Sequence, residues 1–395
     1  MSAVLRAARR AITSTGSTVV VAVVVAMVFE RLVAAARWVV AWPADGDVWW
    51  TVVLFAGAVL SMVITQRARA DGRTTGAFVR DLDDPPADLR SAPARFAASV
   101  TGVGLGTPLG IDGPALHLGG SLAAAAARVL GRRERPWVIA GGVAALSMAI
   151  DAPLAAALLV VEVGGRHRHR RADVMPLVVG GGAGWLVQRL VGDPGGIIGR
   201  SFRLPATSAI PSGVVLGVVC GLAGGAYAGV LVRRGPARRP LPGRVAAVVG
   251  VLGPAVLVGW LATGQPIFVG PGDRTFDWAA GTAALPVAAA LAAAAIVVPV
   301  PVAADVTGGL VLPVRWLGGM VGVVLALTWL PTSSIPFATV TGGSAMLAAT
   351  CSTPAAAVAL GFAAFGWSAA SWGVAVAVLL ARVTSSTRWR PLVCS

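Results

Sequence analysis

Gly106-Thr-Pro-Leu-Gly-Ile-Asp-Gly-Pro-Ala-Leu-His-Leu-Gly-Gly-Ser-Leu-Ala123 is the stretch that decides how the rest of the chain is read. One acid, Asp112, stands in a run otherwise made of apolar and small residues, with Gly110 and Gly113 close by and Pro114 just after. Proline suits the first turn of a helix, where its missing N–H has no intrahelical partner to lose. The spacing therefore predicts a helix that starts at Asp112, with the carboxylate at its N-terminus. That end carries unpaired N–H groups and a partial positive charge, so it can hold either this carboxylate or a free anion. An acid so placed inside a membrane is costly, and its default reading is functional.

The same run recurs. Gly110-x3-Pro114-x3-Leu118-Gly119-Gly120 reads against Gly309-x3-Pro313-x3-Leu317-Gly318-Gly319, an offset of 199. Gly142 stands eleven residues before Pro153 and its alanines, and Gly343 eleven before Pro354 and its alanines, an offset of 201. Two neighbouring motifs at nearly one offset argue for two homologous halves, 17–205 and 210–395, the alternative being shared Ala- and Gly-rich composition.

The composition agrees with a membrane location. Of 395 residues 56% are hydrophobic and 12% charged, with mean hydropathy +0.79, enough for ten or more membrane elements. The net charge of +15 comes from 32 basic residues, all arginine. They cluster in short loops, at 67–95, 132–135, 166–171 and 233–244, while Asp45, Asp47, Asp273 and Asp277 lie in loops with few or none. This is a positive-inside pattern, which points to acidic lipid headgroups rather than nucleic acid as the partner. Cys220, Cys351 and Cys394 show no ligand-like spacing and read as buried small hydrophobes, so neither a metal, a cofactor nor a disulfide framework is expected. Residues 1–16 read as a cytoplasmic amphipathic lead-in.

In chain order, spans are expected at 17–42 and 48–66, then an arginine-rich return through Asp71 and the polar run Asp81–Asp88. Asp71 could cap a helix that turns back into the membrane. His117 reads as a satisfied helix histidine, and His167 and His169 as part of a headgroup-facing loop. The apolar stretch 136–163 is too long for one span and is broken at Asp151-Ala-Pro153, which predicts two shorter helices. Glu162, beside the basic loop, reads as a snorkelling acid. Further apolar elements follow at 174–192, 211–232, 245–263, 283–303, 308–328, 334–365 and 367–384. Asp305 reads either as an N-cap or as lining of an anion path, and the short final segment leaves no room for a regulatory domain.

These motifs resemble the CLC family of chloride channels and proton-coupled chloride antiporters. Gly110-Ile-Asp-Gly-Pro114 is similar to the family's G-K/R-E-G-P, Asp151-Ala-Pro-Leu-Ala155 through Glu162 to its N-A-P-L-A segment, and Gly309-Leu-Val-Leu-Pro313 to its G-x-F-x-P. Ala345–Ala348 to Pro354 looks like the later region that mirrors N-A-P-L-A. The resemblance implies an all-α polytopic membrane protein, a CLC-like inverted repeat of tilted and broken transmembrane helices, and a homodimer with one pathway per subunit. Asp112 then takes the place of the gating glutamate. Gly110, Ile111, Gly113, Pro114, Gly309, Leu310, Val311 and Pro313 supply helix ends to a chloride or similar small anion. The implied location is the inner (plasma) membrane, multi-pass, with the N-terminus cytoplasmic.

Departures from the pattern bear on mechanism. By spacing, Asp71 falls where the family has an anion-binding serine and Val393 where it has an anion-binding tyrosine; the sole tyrosine, Tyr227, is elsewhere. Val163 occupies the position of the inner proton-transfer glutamate, with Glu162 its neighbour, and Val311 replaces an aromatic. An ionised Asp71 would repel an anion unless protonated or paired. Loss of the inner glutamate points to uncoupled or weakly proton-coupled transport. An H+/Cl- antiporter, a non-conducting scaffold or subunit, and a transporter of another ion that uses Asp71 and Asp112 as paired acids stay open. No nucleophile, base and metal constellation indicates an enzyme.

Overall fold

Backbone polar groups inside a bilayer have to be satisfied within the protein, which helices achieve segment by segment. The computed structural model describes residues 3–41, 49–68, 78, 91–164, 171–191, 206–233, 240–265, 267–268, 272–304, 306–330 and 334–385. Asp71, the run 81–88, His167, His169, Asp305, Val393 and Cys394 lie outside the described residues. Among those described the chain is helical, with no named strand.

The first half contains α1 (Ala3–Ala41), α2 (Trp49–Arg67), α3 (Ser91–Gly104), α4 (Asp112–Val129), α5 (Glu134–Ile150), α6 (Pro153–Gly164) and α7 (Val174–Leu190). The second contains α8 (Ala206–Arg233), α9 (Leu241–Thr263), α10 (Asp273–Ala280), α11 (Ala284–Val297), α12 (Pro299–Ala303), α13 (Val311–Thr328), α14 (Ile335–Cys351), α15 (Pro354–Phe365) and α16 (Ala369–Thr384). The described residues of the stretch 1–16 are helical and run on into α1. Windows at Thr15–Leu32, Thr207–Leu231, Leu241–Thr263, Ala284–Ala303 and Val311–Thr328 are long and apolar enough to cross a membrane.

Packing follows the repeat. α1 lies against α5 and α7 as α8 lies against α14 and α16, α2 against α3 as α9 against α11, and α4 against α5 as α13 against α14. The halves meet where α6 packs on α15 and α2 on α9. The break expected at 151–153 is present, and it has a twin inside the stretch 334–365 that reads as one element in the sequence. Asp151 (φ 53°) ends α5 and Ser352 (φ 60°) ends α14, both left-handed, each two residues before a proline. Proline disfavours helix in the residue before it, so the chain has to turn there.

Within each half the helices touch backbone to backbone. A Cβ added at Gly119 would run into the Gly141 carbonyl, and one at Gly318 into the Gly342 carbonyl. Lipid tails are as apolar as the side chains, so helices in a bilayer gain from such close approach more than from burial. At the basic end, Arg135 donates to both carboxylate oxygens of Asp173 (3.1 and 2.7 Å), tying the start of α5 to the start of α7. Arg128 and Glu134 pair across the α4–α5 turn at 2.6 Å. Cys220 is free and buried, as the sequence suggests. Cys351 is buried, as expected, but it is disulfide-bonded, which corrects the expectation of no disulfide; sequence separation gives no measure of distance in space.

Gly342→Val forces α13 and α14 apart at their contact and is expected to cost on the order of 3 kcal/mol. Thermal unfolding of the purified protein in detergent should show a lower Tm, and an unchanged Tm would mean that the backbone contact is not tight.

Candidate functional site

The two recurrences of the opening motif meet. Gly110 N–H donates to the Gly309 carbonyl at 3.0 Å, and Gly309 N–H to the Gly110 carbonyl at 2.6 Å. These are equivalent positions of the two repeats. Two equivalent residues can exchange bonds reciprocally only across a local two-fold axis, and the pairing is antiparallel. The helices that follow, α4 and α13, therefore leave the junction in opposite directions with both N-termini at its centre. Neighbouring hydroxyls brace the junction: Ser99 Oγ donates to the Gly110 carbonyl at 3.3 Å, and the Thr65 and Thr307 hydroxyls meet at 2.7 Å.

Neither N-terminus is capped by a side chain, the N-cap residues being Ile111 and Leu310. The unpaired amides of both helices thus stay available. Asp112, fully buried, turns its carboxylate back over the glycine pair, so that a Cβ at 110 or at 309 would collide with it. Neither carboxylate oxygen makes a hydrogen bond of good geometry; the amides directed at it are its own, that of Gly113 and that of Val311. The group is held by converging partial charges rather than by formed bonds. Arg315, half-buried and one turn into α13, acts on it through charge. Sequence reasoning passed over this arginine, although a lone basic residue inside an apolar span was signal enough.

Gly110, Ile111, Gly113, Pro114, Gly309, Leu310 and Val311 are therefore assembled at one place, with Asp112 between them. The proton-path candidates Glu162 and Val163 lie elsewhere, at the α6–α15 contact. The Glu162 carboxylate accepts the Ala355 N–H at 2.7 Å and the Ala356 N–H at 2.9 Å. It caps α15, whose own N-cap, Thr353, makes no side-chain bond. The reading of Glu162 as a snorkelling acid is thus corrected: the tertiary fold brings an uncapped helix start from the other half to it. Val163 packs among apolar side chains. His117 is buried edge-on against Phe78, with ring centroids 5.2 Å apart, as a helix histidine. No group of three or more His, Cys, Asp or Glu suited to a metal occurs among the described residues.

An inverted repeat of membrane helices whose motif-bearing N-termini converge on one buried site defines a membrane transport protein, not an enzyme. The chain belongs to the voltage gated chloride channel family, whose model matches residues 53–386. Among solved structures it is similar to a slow cyanobacterial Cl-/H+ antiporter at 20% identity, TM-score 0.76, over 93% of this chain and 94% of that one. It is also similar to a CLC-type fluoride/proton antiporter at 18% identity, TM-score 0.74, over 95% of each chain. A eukaryotic CLC transporter matches at 16% identity, TM-score 0.71, over 93% of this chain and 71% of that one. A comparison with curated protein sequences gives no match.

Gly309→Ala places a methyl where the Asp112 carboxylate lies. The carboxylate is expected to leave the junction, and anion efflux from liposomes should then match that of Asp112→Ala; efflux equal to wild type would show that the carboxylate does not rest on this glycine.

Proposed function

We propose that the protein moves chloride or a similar small anion across the membrane, uncoupled or only weakly coupled to protons, with Asp112 as the gate. The observation that carries this reading is the buried carboxylate lying, without formed hydrogen bonds, where two uncapped helix N-termini converge. A group held that way competes with an anion for the same partial charges, and leaves when an anion or a proton satisfies it better. In this scheme Gly110, Ile111, Gly113, Pro114, Gly309, Leu310 and Val311 provide the helix ends. Asp71 and Val393 keep the roles of the serine and tyrosine positions as alignment-based assignments.

Weak coupling is supported at the inner end. Val163 has no proton to carry, and Glu162, its titratable neighbour, is engaged by two amides of α15. The repeats 17–205 and 210–395 form one pathway per subunit of a homodimer in the lipid of the plasma membrane, with the N-terminus cytoplasmic. A second reading, proton-coupled antiport, is favoured by one observation: two of the similar solved structures are proton antiporters, for chloride and for fluoride.

Efflux of chloride, and separately of fluoride, from liposomes holding the purified protein distinguishes these. Asp112→Ala should change the rate about tenfold or more, and an imposed chloride gradient should drive little proton movement. Chloride-driven proton uptake would replace the uncoupled reading with antiport, and no anion flux from wild type would end both. Glu162→Gln is expected to lower Tm, as loss of a charged cap costs about 1 kcal/mol, and to leave chloride flux near wild type. A variant of unchanged Tm that alters proton movement would return Glu162 to the proton path.

A further inference from the structure

A helix hydroxyl in an apolar setting can donate to the carbonyl one turn back, which satisfies it without a partner from elsewhere. Thr65, Ser147, Thr339 and Thr384 all do so, at 2.7–2.9 Å. Ser61 does not. Its side chain is fully buried in α2, and its Oγ makes no hydrogen bond. Thr107, in the link between α3 and α4, is equally buried, and its Oγ1 is also unpartnered. The two hydroxyls face one place. A Cβ on Gly102 of α3 would stand 3.1 Å from Ser61 Oγ and 3.2 Å from Thr107 Oγ1, so both border the gap that this glycine leaves. The carbonyls beside them are already engaged, that of Ser61 by the Thr65 hydroxyl and that of Gly102 by the Thr107 N–H at 2.8 Å.

Two helices tie this gap to the junction. Ser99 lies three residues before Gly102 on the same face of α3, and its hydroxyl reaches the Gly110 carbonyl. Thr65 lies four residues after Ser61 on the same face of α2, and its hydroxyl meets that of Thr307, two residues before Gly309. Along each helix the gap is therefore one turn, roughly 5–6 Å, from a contact with one side of the junction. The partial positive charge of the two converging N-termini suits an anion here better than a cation. What the two hydroxyls lack is an acceptor, and a halide ion can only accept. We propose that Ser61 and Thr107 form an anion subsite over Gly102, where the transported ion rests while the Asp112 carboxylate occupies the helix ends. This rests on the anion-transport reading and adds to it a pair of hydroxyl ligands outside the repeated motifs. The ligand class is a small monovalent inorganic anion, probed with chloride and bromide.

The experiment measures chloride binding to the detergent-solubilised protein by calorimetry, and initial chloride efflux from liposomes, for wild type, Ser61→Ala, Thr107→Val and Gly102→Ala. The last keeps both hydroxyls and fills the gap. Each variant is expected to weaken binding and raise the KM of efflux about tenfold, the loss of one hydrogen bond to an ion. In chloride-free buffer the Tm of Ser61→Ala and of Thr107→Val should hold or rise, since each removes an unpartnered group, and the gain in Tm on adding chloride should shrink. Crystals of wild type grown with bromide should show an anomalous peak over Gly102, in contact with both hydroxyls. Variants with wild-type binding and KM overturn the proposal and leave the transport reading standing, a bound water then being the partner of the hydroxyls. Bromide at the junction alone does the same. Wild type that passes no chloride yet holds bromide over Gly102 upholds the subsite and ends the transport reading. Wild type that neither binds nor passes chloride removes both. Should the variants fail to fold, the bromide peak in wild type decides.

Discussion

The reciprocal hydrogen bonds between Gly110 and Gly309 are the constraint on which the site depends. They are too few to hold the two halves together, each contributing about 1 kcal/mol net. What joins the halves is packing of α6 on α15 and α2 on α9, with the Glu162 cap of α15 as a charge-assisted tie. The glycine pair instead fixes register. A slip of one residue would unpair four buried backbone groups and turn one helix N-terminus away from the other. Glycine is required at both positions because the Asp112 carboxylate lies where a side chain would begin.

Electrostatics then decides what that junction can hold. A buried carboxylate without formed hydrogen bonds pays a desolvation penalty of several kcal/mol. One helix N-terminus offsets up to about 2 kcal/mol, so two together approach that penalty without clearly exceeding it. A junction balanced in this way fits the gate proposed above, whose carboxylate has to leave, better than it fits a structural ion pair. Strongly capping residues at 111 and 310 would have satisfied the same amides permanently. The sequence has Ile111 and Leu310 there, leaving the amides unpaired.

The contrast with Glu162 makes the same point. Its carboxylate also sits at a helix N-terminus, yet it accepts two well-formed amide bonds at 2.7 and 2.9 Å. One acid is engaged and the other poised. What separates them is hydrogen-bond geometry, since both are acids at helix starts.

Much of the fold was legible in the sequence, because membrane helices write themselves as long apolar runs and the repeat as matching spacings of glycine and proline. The helix start at Asp112, the break at Asp151-Ala-Pro153 and the family resemblance all follow from such local signals. The second break, at Ser352-Thr-Pro354, carried the same proline signal but lay hidden in an apolar stretch. Three things were decided only by tertiary structure: that Gly110 pairs with Gly309, that the carboxylate rests on them, and that Glu162 caps a helix nearly two hundred residues away. Local sequence determines where a helix begins and ends, because its hydrogen bonds run between near neighbours. Which distant helix end an acid or arginine meets is set by how the two halves pack, and no residue spacing encodes that distance.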